Sequence, residues 1–167
     1  MVASGRPLTM DMLIKLYPQE ALQAANVAGA VVRKPIGPEH TAITNWVVSR
    51  FGPGWASEVQ VALSNRPITC WIATRDSTLL GFACFDATAR GLFGPIGVDD
   101  AVRGQGVGAA LLRACLLDMR SIGYGYAIAG GVGAPAFFQR VAGAVEIADS
   151  SPGVYAGRLP PEAATGP

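Results

Sequence analysis

Residues 94–109 read Gly94-Pro95-Ile96-Gly97-Val98-Asp99-Asp100-Ala101-Val102-Arg103-Gly104-Gln105-Gly106-Val107-Gly108-Ala109: an apolar strand, a short polar turn and the glycine-punctuated start of a helix. A glycine in a helix interior loses about 0.5 to 1 kcal/mol relative to alanine, and Gly104, Gly106 and Gly108 stand almost side by side. Something other than helix propensity requires bare backbone there. The first N–H groups of a helix are unpaired, point out of its end and sit at the positive pole of its dipole, so a diphosphate is the ligand for which missing Cβ atoms make room. A hydrogen bond to a charged partner contributes about 1.5 to 3 kcal/mol, so a few of them outweigh the penalty. Upstream, Pro95 cannot donate to a ladder, and Gly94 and Gly97 mark a bulge or a close backbone approach, so an irregular strand is expected over 92–98.

Two other readings of the glycines stand beside this one. They suit a loosely built turn, and Gly104, Gly106 and Ala109 also fit the dinucleotide pattern G-x-G-x-x-A. A dinucleotide fingerprint opens a βαβ unit and places an acid about 20 residues on, at a strand end. Here an antiparallel hairpin is expected before the loop, and the nearest acid, Asp118, lies mid-helix. No Lys-Ser/Thr pair follows the glycines, which excludes a Walker-type loop.

Working outward, 104–121 is the longest expected helix, with Val107, Leu111, Ala114 and Cys115 on one stripe and Arg113 on its solvated side. Strands are expected over 68–75 and 79–86, joined by Asp76-Ser77-Thr78 as a hairpin. Further strands are expected over 29–36, 124–130, 144–148 and 154–159. Helices are expected over 38–50, 55–65 and 134–142, with Pro38 and Pro135 in their first turns. Leu13, Leu16 and Tyr17, then Ala21, Leu22 and Ala25, read as two short helices split by Pro18. The organisation is thus an N-terminal helical extension over 1–28, one mixed α/β domain over 29–159 and a disordered tail over 160–167.

Composition narrows the function. The chain has 167 residues, 13 Lys plus Arg against 12 Asp plus Glu, and half its residues apolar, which suits one soluble domain. A net charge of +1 offers no footing for nucleic acid or an anionic membrane. No apolar run reaches the roughly 18 residues of a membrane span and no signal pattern opens the chain. Cys70, Cys84 and Cys115 are spaced neither as metal ligands nor as a redox pair, so no metal site is expected and the reading is cytoplasmic. Trp46, Trp55, Trp71 and the apolar last strands leave room for a homodimer.

At Arg103, Gly106 and Gly108 the sequence resembles the GNAT superfamily of acyl-CoA-dependent N-acyltransferases, whose pyrophosphate loop reads Arg/Gln-x-x-Gly-x-Gly/Ala, and the element order over 29–159 agrees. The resemblance implies an α/β (α+β) fold with a mostly antiparallel, splayed central sheet and helices on both faces. It implies acetyl-CoA as cosubstrate and a primary amine of a small molecule as acceptor. It assigns the cosubstrate to Ile96, Gly97, Val98, Arg103, Gly104, Gln105, Gly106, Val107, Gly108, Ala109, Phe138 and Arg140. A backbone N–H at Ile96 is expected to polarise the thioester carbonyl.

The acid and base are less regular. Where the family often carries Asn-x-x-Ala-x-x-Phe-Tyr, this chain has Gly131, Ala134, Phe137 and Phe138, so the usual phenol is missing. Tyr124, Tyr126 and Tyr155 remain as proton donors, with Tyr155 ranked first, and Glu58 is ranked before Asp86 as general base. The missing phenol also favours a rival reading, a non-catalytic CoA-binding or sensing module. A nicotinamide dinucleotide enzyme is the third.

Overall fold

The computed structural model describes residues 9–17 and 22–160. Its strands are β1 (Met10–Lys15), β2 (Val31–Arg33), β3 (Cys70–Arg75), β4 (Thr78–Phe85), β5 (Leu92–Val98), β6 (Tyr126–Val132) and β7 (Val145–Glu146). Its helices are α1 (His40–Phe51), α2 (Pro53–Ser64), α3 (Val107–Ser121) and α4 (Pro135–Ala142). The sheet order is β2-β3-β4-β5-β6-β1-β7, antiparallel at every pair except β5 and β6.

Strand alternation sorts the core into two layers. Cys70, Ile72, Phe82 and Cys84 point to one face, where Ile43 and Val47 of α1 and Ala56 and Val59 of α2 close over them. Ala73, Ala83 and Phe85 point to the other face, against Leu111, Leu112, Cys115 and Leu116 of α3. The hairpin, the two early helices and the long helix follow the sequence expectation to within a few residues. Glu39 ties the start of α1 to the sheet: its carboxylate accepts the Ile36 N–H at 2.8 Å and pairs with Arg33 of β2.

Two expectations are corrected. Residues 10–15 form a strand, not a helix, and β1 lies inside the sheet between β6 and β7. The alternation Met10, Met12, Ile14, Leu16 decides it: Met12, Ile14 and Leu16 are fully buried, while Leu13, which suggested helical spacing, sits on the opposite, part-exposed face. The stretch 10–15 is therefore part of the main domain and not of a separate helical extension. Conversely, 154–159 is no strand. Residues 153–155 form a single 3-10 turn, because β1 already occupies the place beside β6 and Pro152, Gly157 and Pro160 break extended structure. The expected tail lies beyond the described residues, apart from Pro160.

Candidate active site

Helix α3 starts from Gly106, whose φ of +85° is left-handed backbone that glycine adopts freely. Among the described residues, no side chain caps the helix, the N–H groups of Val107, Gly108 and Ala109 have no hydrogen-bond acceptor, and the first intrahelical bond runs from Ala110 N–H to the Gly106 carbonyl at 3.0 Å. Those residues line a groove of about 590 Å³ together with Ile96, Val98, Arg103, Gly104, Phe137 and Arg140. At Gly108 an added Cβ would stand 3.5 Å from the Phe137 ring and 3.6 Å from Val98, which are ordinary contacts. Packing alone would accept alanine there, and glycine keeps the groove open at the helix end.

The groove is positive. Arg103 is largely exposed and paired only with the still more exposed Asp100 at 2.9 Å, a contact of little energetic weight that a phosphate can displace. Arg113 corrects the expectation of a solvated side chain: it lines the groove, and its Nε is buried without a partner among the described residues. It stands one turn after Ala109, so the periodicity running on from the glycine loop was the signal that could have found it. Arg140 lies in the last turn of α4. Among the described residues, no carboxylate lines the groove.

Strand β5 forms the groove's other wall. It bulges at Gly94-Pro95, where the register against β4 shifts between Ala83 and Phe85, and Gly94 has φ +124°. It pairs with β6 only at Leu92 and Phe93, after which the two parallel strands part. The Asp99 N–H donates to Leu80 on the β4 side at 2.8 Å. Alternation therefore aims the peptide groups of Ile96 and Val98 at the edge β6 has left.

Gly97 points elsewhere. A Cβ there would fall 2.6 Å from the Phe51 ring and 2.8 Å from Phe82, so this glycine accommodates the aromatic cluster under α1 and α2 and not the groove. In that cluster Phe51 stacks on Trp55 with centroids 5.0 Å apart. Gln105 and Phe138 also fall outside the groove. The Gln105 amide oxygen accepts from Arg75, and Phe138 is buried against Phe93 and Phe137. Of the two adjacent phenylalanines, Phe137 is the one that faces the groove.

On the α2 side, Glu58 is held by a residue the sequence did not single out. Thr88, in the loop between β4 and β5, donates to Glu58 Oε1 at 2.5 Å. The Tyr155 hydroxyl stands 3.5 Å from where a Cβ of Gly130 would be, at the point where β6 leaves β5. Asp11, from β1, accepts the Gly131 N–H at 2.8 Å beside the same ring. Burial pushes the Tyr155 phenol above the ordinary tyrosine range; the Thr88 hydroxyl and the Arg158 guanidinium oppose this, and the Glu58 and Asp11 carboxylates add to it. The phenol is therefore protonated at neutral pH, as a proton donor must be.

The other candidates have structural work. Asp86 accepts from the Tyr124 hydroxyl at 2.8 Å and from the Gly91 N–H at 2.7 Å, closing the loop that carries Thr88. Tyr126 packs edge-on against Tyr17 at the exposed end of β6. Burial holds the Cys84 and Cys115 thiols well above the usual range, which opposes an acyl-accepting thiolate.

Residues 66–141 match the family model described as an acetyltransferase (GNAT) domain. No curated protein matches the chain in sequence. Among solved structures, the chain is similar to a GCN5-related glucosamine N-acetyltransferase region in a fungal multi-domain GH3 β-N-acetylglucosaminidase, with TM-score 0.65 at 14% identity over 86% of this chain and 20% of that one. It is similar to a GCN5-related N-acetyltransferase from Sphaerobacter thermophilus, with TM-score 0.63 at 20% identity over 85% and 50% of the two chains. A GCN5-related N-acetyltransferase from Kribbella flavida gives TM-score 0.56 at 16% identity over 84% and 55%. The chain thus spans from about a fifth to just over half the length of these proteins, and at such identities the likeness is one of fold. The sequence match over the hairpin, the loop and α3 and the likeness of fold agree: residues 66–141 are similar to a GNAT acetyltransferase domain, and the chain around them folds as a mostly antiparallel sheet that splays between β5 and β6.

Proposed function

We propose that this protein transfers an acetyl group from acetyl-CoA directly to the primary amine of a small molecule. The observation that carries the reading is the uncapped start of α3, with three amide N–H groups free beside a groove bearing Arg103, Arg113 and Arg140. A diphosphate accepts from those N–H groups at the positive end of the helix dipole, and the arginines take the remaining phosphate charge. The pantetheine arm lies along the β5 edge, where the peptide groups of Ile96 and Val98 lack ladder partners, and an N–H at Ile96 polarises the acyl carbonyl. The acceptor enters from the α2 side. Glu58 takes the proton of the attacking nitrogen, and Tyr155 supplies one to the departing thiolate, replacing the phenol that Phe138 cannot offer. The three buried, unbridged thiols suit a reducing compartment, in keeping with a cytoplasmic enzyme.

The test has two stages. Acetyl-CoA should raise the melting temperature, and addition of an amine panel of amino sugars, amino acids and polyamines should release free thiol. Stabilisation by acetyl-CoA without amine-dependent thiol release identifies a binding or sensing module instead. Stabilisation by NAD and not by acetyl-CoA overturns the assignment of the groove.

A further inference from the structure

Trp55 is the exposed member of the aromatic cluster under α1 and α2. Phe51 stacks on one face of its indole with centroids 5.0 Å apart, and Phe82 meets its edge at 6.3 Å. Even so, 37% of Trp55 is left open, whereas Trp46, Phe51 and Phe82 are half-buried or buried. A single exposed aromatic side chain is ordinary; the position of this one is not. A Cβ on Gly97 would stand 2.6 Å from the Phe51 ring, so its absence lets the stack lie flush on β5. Ile96 and Val98, whose peptide groups the reading above gives to the thioester arm, alternate to the other side of that strand. A glycine weakens a strand interior, and here it brings the stacked rings against the strand where the chemistry is placed.

Along α2, Glu58 follows Trp55 by three residues, which puts the two side chains on one flank of the helix. That flank faces the β4–β5 side, because Thr88 of the intervening loop donates to Glu58 Oε1 at 2.5 Å. Among the described residues, the other Glu58 oxygen has no donor. The flank therefore presents one open carboxylate oxygen and, a helical turn away, an open indole surface.

We propose that the acceptor is a primary amine carried on an aromatic body, an arylalkylamine, whose ring stacks on Trp55 while its nitrogen meets Glu58. This rests on the acetyltransferase reading above and narrows its substrate. Side chains three residues apart on a helix have Cβ atoms about 5 to 6 Å apart, a span that a two-carbon link between ring and nitrogen covers. Stacking and the apolar area removed from water both favour an aryl group, and a sugar ring or a polyamine chain forgoes that gain. The neighbouring carboxylate, Asp11, is already engaged by the Gly131 N–H at 2.8 Å, and the Arg158 guanidinium, 5.5 Å from the Tyr155 ring centre, repels a second ammonium.

The test extends the amine panel with 2-phenylethylamine and tryptamine and follows thiol release from acetyl-CoA by wild type, Trp55→Ala and Trp55→Phe. Wild type should show kcat/KM for the two aryl amines at least about tenfold above that for glucosamine or spermidine. Trp55→Ala should cut this preference to within about threefold, through a higher KM for the aryl amines, and Trp55→Phe should keep it. The rise in melting temperature with acetyl-CoA checks that each variant folds and retains the cosubstrate groove. Should Trp55→Ala not fold, Trp55→Leu makes the same comparison, and the wild-type ranking stands as a test by itself. Glucosamine or spermidine used as well as the aryl amines, or a folded Trp55→Ala enzyme that keeps the preference, overturns the aromatic acceptor and leaves the transferase reading standing. Stabilisation by acetyl-CoA with no thiol release for any amine of the extended panel overturns the transferase reading, and the acceptor with it.

Discussion

A carboxylate in an acceptor site can remove a proton or hold an ammonium, and at Glu58 the two roles separate in kinetics. Glu58→Gln keeps the side-chain shape and an oxygen for the Thr88 hydroxyl but cannot take a proton. It should lower kcat by about 10²-fold at neutral pH while acetyl-CoA affinity, read by calorimetry, stays unchanged. A rise in amine KM with kcat preserved would assign Glu58 to substrate binding alone. Glu58 and Tyr155 were legible as single candidates because few carboxylates and phenols were available. Thr88 was not, since a loop threonine acquires meaning only from a neighbour 30 residues back on α2. Gly97 misled for a related reason: its bare Cα was visible in the sequence, but which face demanded it depended on strand alternation against Phe51 and Phe82.

Two elements carry their own tests. At the start of α3, Gly106 sits at positive φ, so any side chain there strains the backbone whatever the ligand does. Gly108 discriminates better. Gly108→Ala should raise the unliganded stability by up to about 0.5 to 1 kcal/mol, by helix propensity. It should also weaken acetyl-CoA binding about tenfold or more, because the added methyl group occupies the groove at the free N–H groups. Unliganded melting and a binding titration check the two effects, which have opposite signs. At the start of α1, the Arg33 guanidinium and then the Ile36 N–H hold the Glu39 carboxyl down to about 2. Its folded value lies below the ordinary 4.5, so its contribution is present above that value and lost as the pH falls toward about 2. Both side chains are about a third exposed, which limits the pair to roughly 1 kcal/mol. Glu39→Gln should therefore be less stable than wild type by about that amount in urea denaturation at pH 7, and the difference should close near pH 2.

For the whole molecule, the test is whether the first strand belongs to the domain. Ile14 is fully buried within the core of β1, α3 and α4. Ile14→Ala should cost about 2 to 5 kcal/mol in equilibrium denaturation, whereas a loosely attached N-terminal extension would lose almost nothing. The sequence determined the elements whose signal is local: the hairpin over 70–85, the proline-interrupted β5, the glycine start of the long helix and, through these, the class of fold. Propensity and missing Cβ atoms act within a few residues, so they can be read without knowing the neighbours. Tertiary structure alone decided that β1 fills the gap between β6 and β7, that Arg113 turns into the groove, and that Thr88 donates to Glu58. Each of these depends on which surface lies opposite in space, and segments distant along the chain supply that surface.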